Sequence, residues 1–108
     1  MDIRQLQYFL KTIECGSISL AAQRLGLAQP TLTKSLRQLE RQLGVPLLTR
    51  LPRGVEPTEA GRRFARHGLA VEVQLRDALR EIRSVGSTAD GELAVGAGPA
   101  WLRRLLPE

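Results

Sequence analysis

The sequence is poor in the residues that do chemistry. It has one cysteine, Cys15, and one histidine, His67, in 108 residues. A single cysteine cannot close an internal disulfide, so there is no disulfide framework and a reducing compartment suits the chain. Cys15 has no base or metal partner near it in sequence and reads as a filler at a helix end. His67 sits beside Arg66, with no nucleophile to activate and no second metal ligand, and reads as a surface or interface residue. No catalytic residue and no metal ligand is therefore expected, which argues against an enzyme. A run of about 18 apolar residues is also missing, which excludes a membrane-spanning helix and a membrane partner of that kind. The start, Met1, Asp2, Ile3, Arg4, lacks the basic and apolar regions of a secretory leader, so the expected location is the cytoplasm.

What is present is basic charge, unevenly placed. The net charge is +5 and the sequence pI about 10.6. Residues 1–57 carry eight Lys/Arg against four Asp/Glu, and residues 58–108 carry eight against seven. The first half thus holds most of the excess, which points to a polyanionic partner. With 43% apolar and 25% charged residues, the composition is that of an ordinary globular chain. No internal repeat or low-complexity tract stands out.

Apolar spacing predicts four helices. Ile3, Leu6, Phe9, Leu10 and Ile13 share one face of a helix over 3–15, stopped by Gly16. Ser17 and Ser19 both suit the N-cap of a short second helix, with Leu20, Ala21, Ala22 and Leu25 inward and Gly26 at its end. Leu27, Ala28 and Gln29 form a tight turn. Pro30 then opens a third helix over 30–43, with the stripe Leu32, Leu36, Leu39 and Leu43. Gly44 and Pro46 end it. Two short extended pieces around Pro52 and Gly54 read as a small hairpin with Arg50 and Arg53 near its tip. Thr58 caps a fourth helix over 58–84, where Phe64, Gly68, Val71, Leu75, Ala78, Ile82 and Val85 alternate by four and three. That spacing is a heptad seam, which Leu79 widens.

The composition of 86–91 reads as a hinge. Beyond it, Leu93, Val95 and Ala97 alternate as in a strand, and Trp101, Leu102, Leu105 and Leu106 are apolar. One strand and a helical start cannot bury themselves. The expected organisation is a winged helix-turn-helix over 1–57, a linker and dimerisation helix over 58–85, a hinge over 86–91, and over 92–108 the truncated start of a second domain.

The second and third helices meet the needs of a helix-turn-helix. Small Ala22 lets them approach, Gly26 permits the turn, and Leu32 and Leu36 anchor the third helix. Gln29, Thr31, Thr33, Lys34 and Arg37 then face outward near its start, where a recognition helix reaches base edges in the major groove. By residue type, Gln29 can pair bidentately with adenine, the threonines can offer a hydroxyl or a methyl, and Lys34 and Arg37 can reach guanine or phosphate. Arg50 and Arg53 can reach phosphate or the minor groove. The rival reading is a protein-interaction module, because the heptad would serve partner helices whatever the first half does.

The stretch from Gly16 to Gly61 resembles the DNA-binding domain of the LysR-type transcriptional regulators. The matching words are Ala21-Ala22-Gln23-Arg24-Leu25, Gln29-Pro30-Thr31-Leu32-Thr33, Leu39-Glu40, Leu43-Gly44-Val45-Pro46-Leu47 and Pro57-Thr58-Glu59-Ala60-Gly61. Gly91-Glu92-Leu93-Ala94-Val95-Gly96 resembles the first strand of that family's effector-binding domain. The resemblance implies a mainly α fold, three helices plus a small β-hairpin wing, followed by a long dimerisation helix that pairs antiparallel with its partner's. It implies a bacterial regulator that binds double-stranded promoter DNA as a homodimer or homotetramer. No cofactor is expected in this stretch, and a small-molecule inducer is expected for a full-length protein. The family's DNA contacts carry over onto Gln29, Pro30, Thr31, Thr33, Lys34, Arg50 and Arg53, with Ser17 and Ser19 as phosphate or cap groups. Phe64, Val71, Leu75, Ala78, Leu79 and Ile82 are the expected dimerisation residues. Three positions depart from the family pattern. Ala28 stands where a capping Ser or Thr is usual, Lys34 where Arg is frequent, and Leu48 where Phe is frequent.

Overall fold

The computed structural model describes residues 1–89. The strand expected over 92–98 and the apolar group Trp101, Leu102, Leu105 and Leu106 lie outside the described residues. The elements run α1 (Ile3–Cys15), α2 (Ile18–Leu25), α3 (Gln29–Leu43), β1 (Leu48–Leu51), β2 (Gly54–Pro57) and α4 (Glu59–Ala89).

Local signals fix the helix ends. Asp2 caps α1 by accepting from Gln5 N at 2.9 Å, and the Gln5 side chain accepts from Asp2 N at 3.1 Å, a reciprocal box that satisfies two amides. Ser17 caps α2 by accepting from Leu20 N at 3.1 Å. Ser19 is thereby left inside the helix, free for another partner. Thr58 caps α4 by accepting from Gly61 N at 3.0 Å, and its hydroxyl donates to Pro46 O at 2.8 Å. One group thus starts α4 and ties it to the segment before the hairpin.

The core forms where α1, α2 and α3 cross. Leu6, Phe9 and Leu10 of α1 meet Ile18, Ala21 and Ala22 of α2 and Leu32, Leu36 and Leu39 of α3, with Leu47 and Val55 closing one end. Each buried leucine contributes about 1.5–3 kcal/mol relative to exposure. Leu43, expected on the α3 stripe, is instead 38% exposed, because the last turn of α3 runs past the helices that cover Leu32 to Leu39. Leu20 and Leu25 are only partly buried, and Ile18 takes the inward position that the sequence reading did not assign. Thr12 is fully buried, yet its hydroxyl donates to Tyr8 O at 2.8 Å, so no buried polar group is left unpaired there.

The hairpin is antiparallel, with Leu48 opposite Pro57, Arg50 opposite Val55 and Leu51 opposite Gly54. It is tied down at two points. Glu40 of α3 accepts from Leu47 N at 2.6 Å and Leu48 N at 3.1 Å. Val55 N donates to Gly16 O at 3.0 Å. Gly54, at φ +137°, lies so close to Gly16 O that a Cβ there would collide with it.

α4 continues through Ala89, so residues 86–89 are helical and the expected hinge does not begin at residue 86. Helical hydrogen bonds propagate through a single glycine at a cost of about 1 kcal/mol, which Gly86 alone does not turn into a stop. The first turns of α4 pack on the domain. Gly61 and Gly68 are buried, and the Phe64 ring lies 5.6 Å from that of Phe9 at 50°.

Candidate nucleic-acid interface

The α2–α3 turn is compact because its backbone bonds are closed locally. Leu27 N donates to Ala22 O at 2.9 Å and Gly26 N to Gln23 O at 3.2 Å. α3 then starts from Ala28, which offers no side-chain cap. The missing cap costs less here than usual. Pro30 has no N–H to satisfy, and Thr31 N and Leu32 N both donate to Ala28 O, at 3.0 and 3.2 Å. Gln29 does not cap the helix. Its Oε1 accepts from the Ser19 hydroxyl at 2.8 Å, which joins the two helices at their exposed rim.

Gln29, Pro30, Thr33, Lys34, Arg37 and Arg41 line one shallow concavity along α3. Five of the ten residues expected to touch DNA are thus brought together, and Arg41 joins them. Thr31 faces the other flank of α3, where it lines a second concavity with Arg4, Tyr8, Lys34, Gln38 and Gln42. Lys34 belongs to both and marks the ridge between them. Arg4 and the start of α1 were missed in the sequence, since nothing in the order of residues says that α1 begins beside the outer face of α3.

The remaining expected residues lie elsewhere. Ser17 is the α2 cap. Arg50 is exposed on β1, and Arg53 is exposed in the two-residue turn between the strands. Partly buried Leu48 packs at the base of the hairpin.

The pairing of charges separates available cations from engaged ones. Among the described residues the ion pairs are Lys11–Glu14, Arg62–Glu59, Arg63–Glu59 and Arg80–Asp77. Hydrogen bonds from Arg63 and then Arg62 hold the Glu59 carboxyl below its usual range. A lowered folded value means this interaction is present above the ordinary carboxylate range and is lost as pH falls through the lowered value. Lys34, Arg37, Arg41, Arg50 and Arg53 have no acidic partner in that set. Their charge is free to meet an anion.

Of the six expected dimerisation residues, Phe64 is placed against Phe9 within its own domain. Val71, Ala78 and Ile82 are exposed. Leu75 and Leu79 line a groove with Ile3 and Gln7 of α1 and Glu72, Arg76, Arg80 and Arg83 of α4.

Three helices, the third with an unpaired basic face, and a two-stranded wing define a winged helix-turn-helix. Residues 3–62 match the family described as bacterial regulatory helix-turn-helix protein, lysR family, and the chain belongs to that family. It is 37% identical over 99 residues to the nitrogen assimilation regulatory protein nac of Klebsiella aerogenes, covering 92% of this chain and 32% of that protein. It is 40% identical over 109 residues to the SDS degradation transcriptional activation protein of a Pseudomonas species, covering 98% and 35%. The chain thus spans about a third of the length of these curated relatives, which are named as regulators and not as enzymes. Among solved structures, the BenM DNA-binding domain in a complex with catB site 1 DNA superposes with a TM-score of 0.78 at 31% identity, covering 81% of this chain and 97% of that one. The CbnR DNA-binding domain in complex with DNA gives 0.70 at 38% identity, covering 79% and 99%.

Proposed function

We propose that this chain is the DNA-reading part of a bacterial transcription regulator that binds double-stranded promoter DNA in a sequence-specific way. α3 enters the major groove, with Gln29, Pro30, Thr31, Thr33, Lys34 and Arg37 at the bases and flanking phosphates. Arg50 and Arg53 of the wing meet phosphate or the minor groove, and Ser17 and Ser19 lie at the edge of the contact. The observation that carries this reading is the row of unpaired cations and neutral hydrogen-bonding groups on the exposed side of α3. The DNA complexes of the BenM and CbnR domains support it. α4 pairs two copies as a homodimer, or as half of a homotetramer, through Val71, Leu75, Ala78, Leu79 and Ile82. A small-molecule effector acts through sequence beyond residue 91. No helix among the described residues is long and apolar enough to cross a membrane, in keeping with a regulator that works in the cytoplasm.

The test is duplex binding as salt rises. Each neutralised phosphate contributes about −0.9 to the slope of log affinity against log salt. The wild-type chain should show a steep slope, and Arg53→Ala should flatten it by about 1 while weakening all sequences alike. Gln29→Ala should instead relax preference at one or two base positions. A salt-independent affinity for duplex, or no affinity, rejects the reading in favour of a protein-interaction module.

A further inference from the structure

Ser19 and Gln29 come from different helices of the motif and meet where α3 begins. The Ser19 hydroxyl donates to Gln29 Oε1 at 2.8 Å, between two exposed side chains. Gln29 is free to make this bond because the first turn of α3 needs no cap from it. Pro30 brings no N–H, and Ala28 O already accepts from Thr31 N and Leu32 N.

The bond has a chemical consequence for reading. A primary amide carries one acceptor atom and two N–H donors. Bidentate recognition of adenine uses both ends at once, with Oε1 accepting from the N6 amine and Nε2 donating to N7. In this chain Oε1 is turned toward α2 and one of its lone pairs is already engaged. Oε1 keeps one open lone pair, and the end that is wholly free is Nε2, which can only donate. In water such an exposed bond exchanges readily with solvent, but docking on DNA removes that competition and strengthens it.

We propose that Ser19 is a positioning residue that sets which base Gln29 reads, presenting Nε2 to an edge that offers only acceptors. Guanine, with N7 and O6, fits best, and thymine O4 is the second such edge. This replaces the adenine contact expected from residue type alone. It rests on α3 being the helix that reads the major groove.

The experiment is selection of bound duplexes from a random pool by the 108-residue chain and by three variants. Gln29→Ala identifies the base position that Gln29 reads, as the one whose preference it erases. At that position the wild-type chain should favour guanine or thymine over adenine. Ser19→Ala should lower that preference about five- to tenfold, the lower range for loss of one directed base contact, while every other position and the salt slope stay as they were. Ser19→Thr keeps a hydroxyl and should keep the wild-type preference. A wild-type preference for adenine there, or a Ser19→Ala profile identical to wild type, overturns the proposal and leaves DNA reading by α3 standing. So does a uniform loss of affinity with a flatter salt slope, which would make Ser19 a phosphate contact. If the wild-type chain selects no duplex, the reading of α3 fails and the proposal falls with it.

Discussion

Glu40 is half-buried on α3, and its carboxylate accepts two backbone amides at the entry to β1. Glu40→Ala leaves Leu47 N and Leu48 N without that acceptor, at a cost of about 1.5–3 kcal/mol for hydrogen bonds to a charged group. Urea unfolding should show the midpoint falling accordingly, with Glu40→Gln losing less because it keeps one acceptor oxygen. An unchanged midpoint for Glu40→Ala would show that the hairpin is held without these two bonds, by ties such as Val55 N to Gly16 O. At this scale the sequence was only partly legible. The outward faces of α3 followed from periodicity, and Gln29, Pro30, Thr33, Lys34 and Arg37 do share one concavity. The roles of Glu40 and Ser19 did not follow. Their partners are seven and ten residues away in sequence, across a turn, where no helical or strand period connects them.

Glycine inside a helix usually weakens it by about 0.5–1 kcal/mol relative to alanine, so replacing it there is ordinarily stabilising. Among the buried glycines of α4, Gly61 and Gly68 should respond unequally. A Cβ on Gly61 would run into Leu47 O, a backbone atom held at the base of the hairpin, and would also press on Pro57 Cβ at 3.2 Å. A Cβ on Gly68 would meet Leu6 Cδ1 at 2.7 Å, the end of a side chain that can rotate. Gly61→Ala should therefore destabilise by about 1–3 kcal/mol, the usual cost of overpacking, and Gly68→Ala should stay within about 1 kcal/mol of wild type. Denaturant midpoints of the two variants decide it, and equal effects would refute the distinction. The first three helices were legible because each carries an apolar stripe and a terminating glycine, Gly16, Gly26 or Gly44. The composition of 86–91 is that of a hinge, but helix propagation carries α4 through Gly86 as far as Ala89.

At the scale of the molecule, α4 is the element that its own domain does not cover. Its 31 residues make a rod of about 46 Å at 1.5 Å per residue. The domain packs most closely on the turns around Gly61, Phe64 and Gly68. Further along, Val71, Ile82 and Val85 are 46%, 58% and 59% exposed, while Leu75 and Leu79 sit in the groove beside Ile3. Such a stripe at heptad spacing is what a second helix buries. The seam was legible in the sequence as a continuous run, but its division was not. Phe64 obeys the heptad rule and yet meets Phe9, because periodicity names a face and not the partner that covers it. Leu69 and Val73, exposed off the seam, also escaped the pattern. A test of pairing should use seam residues that the single chain leaves open. Val71→Lys with Ile82→Lys removes apolar area from the seam without emptying the core, so each protomer's unfolding free energy should change by no more than about 0.5 kcal/mol. Sedimentation should show the double variant as a monomer. Affinity for a two-half-site duplex should fall by about 10²–10⁴, the advantage lost when two binding events are no longer linked, while affinity for one half-site is kept. A double variant that sediments as wild type and protects both half-sites would place the pairing surface elsewhere, and Leu69 and Val73 would be the next exposed apolar pair on α4 to change.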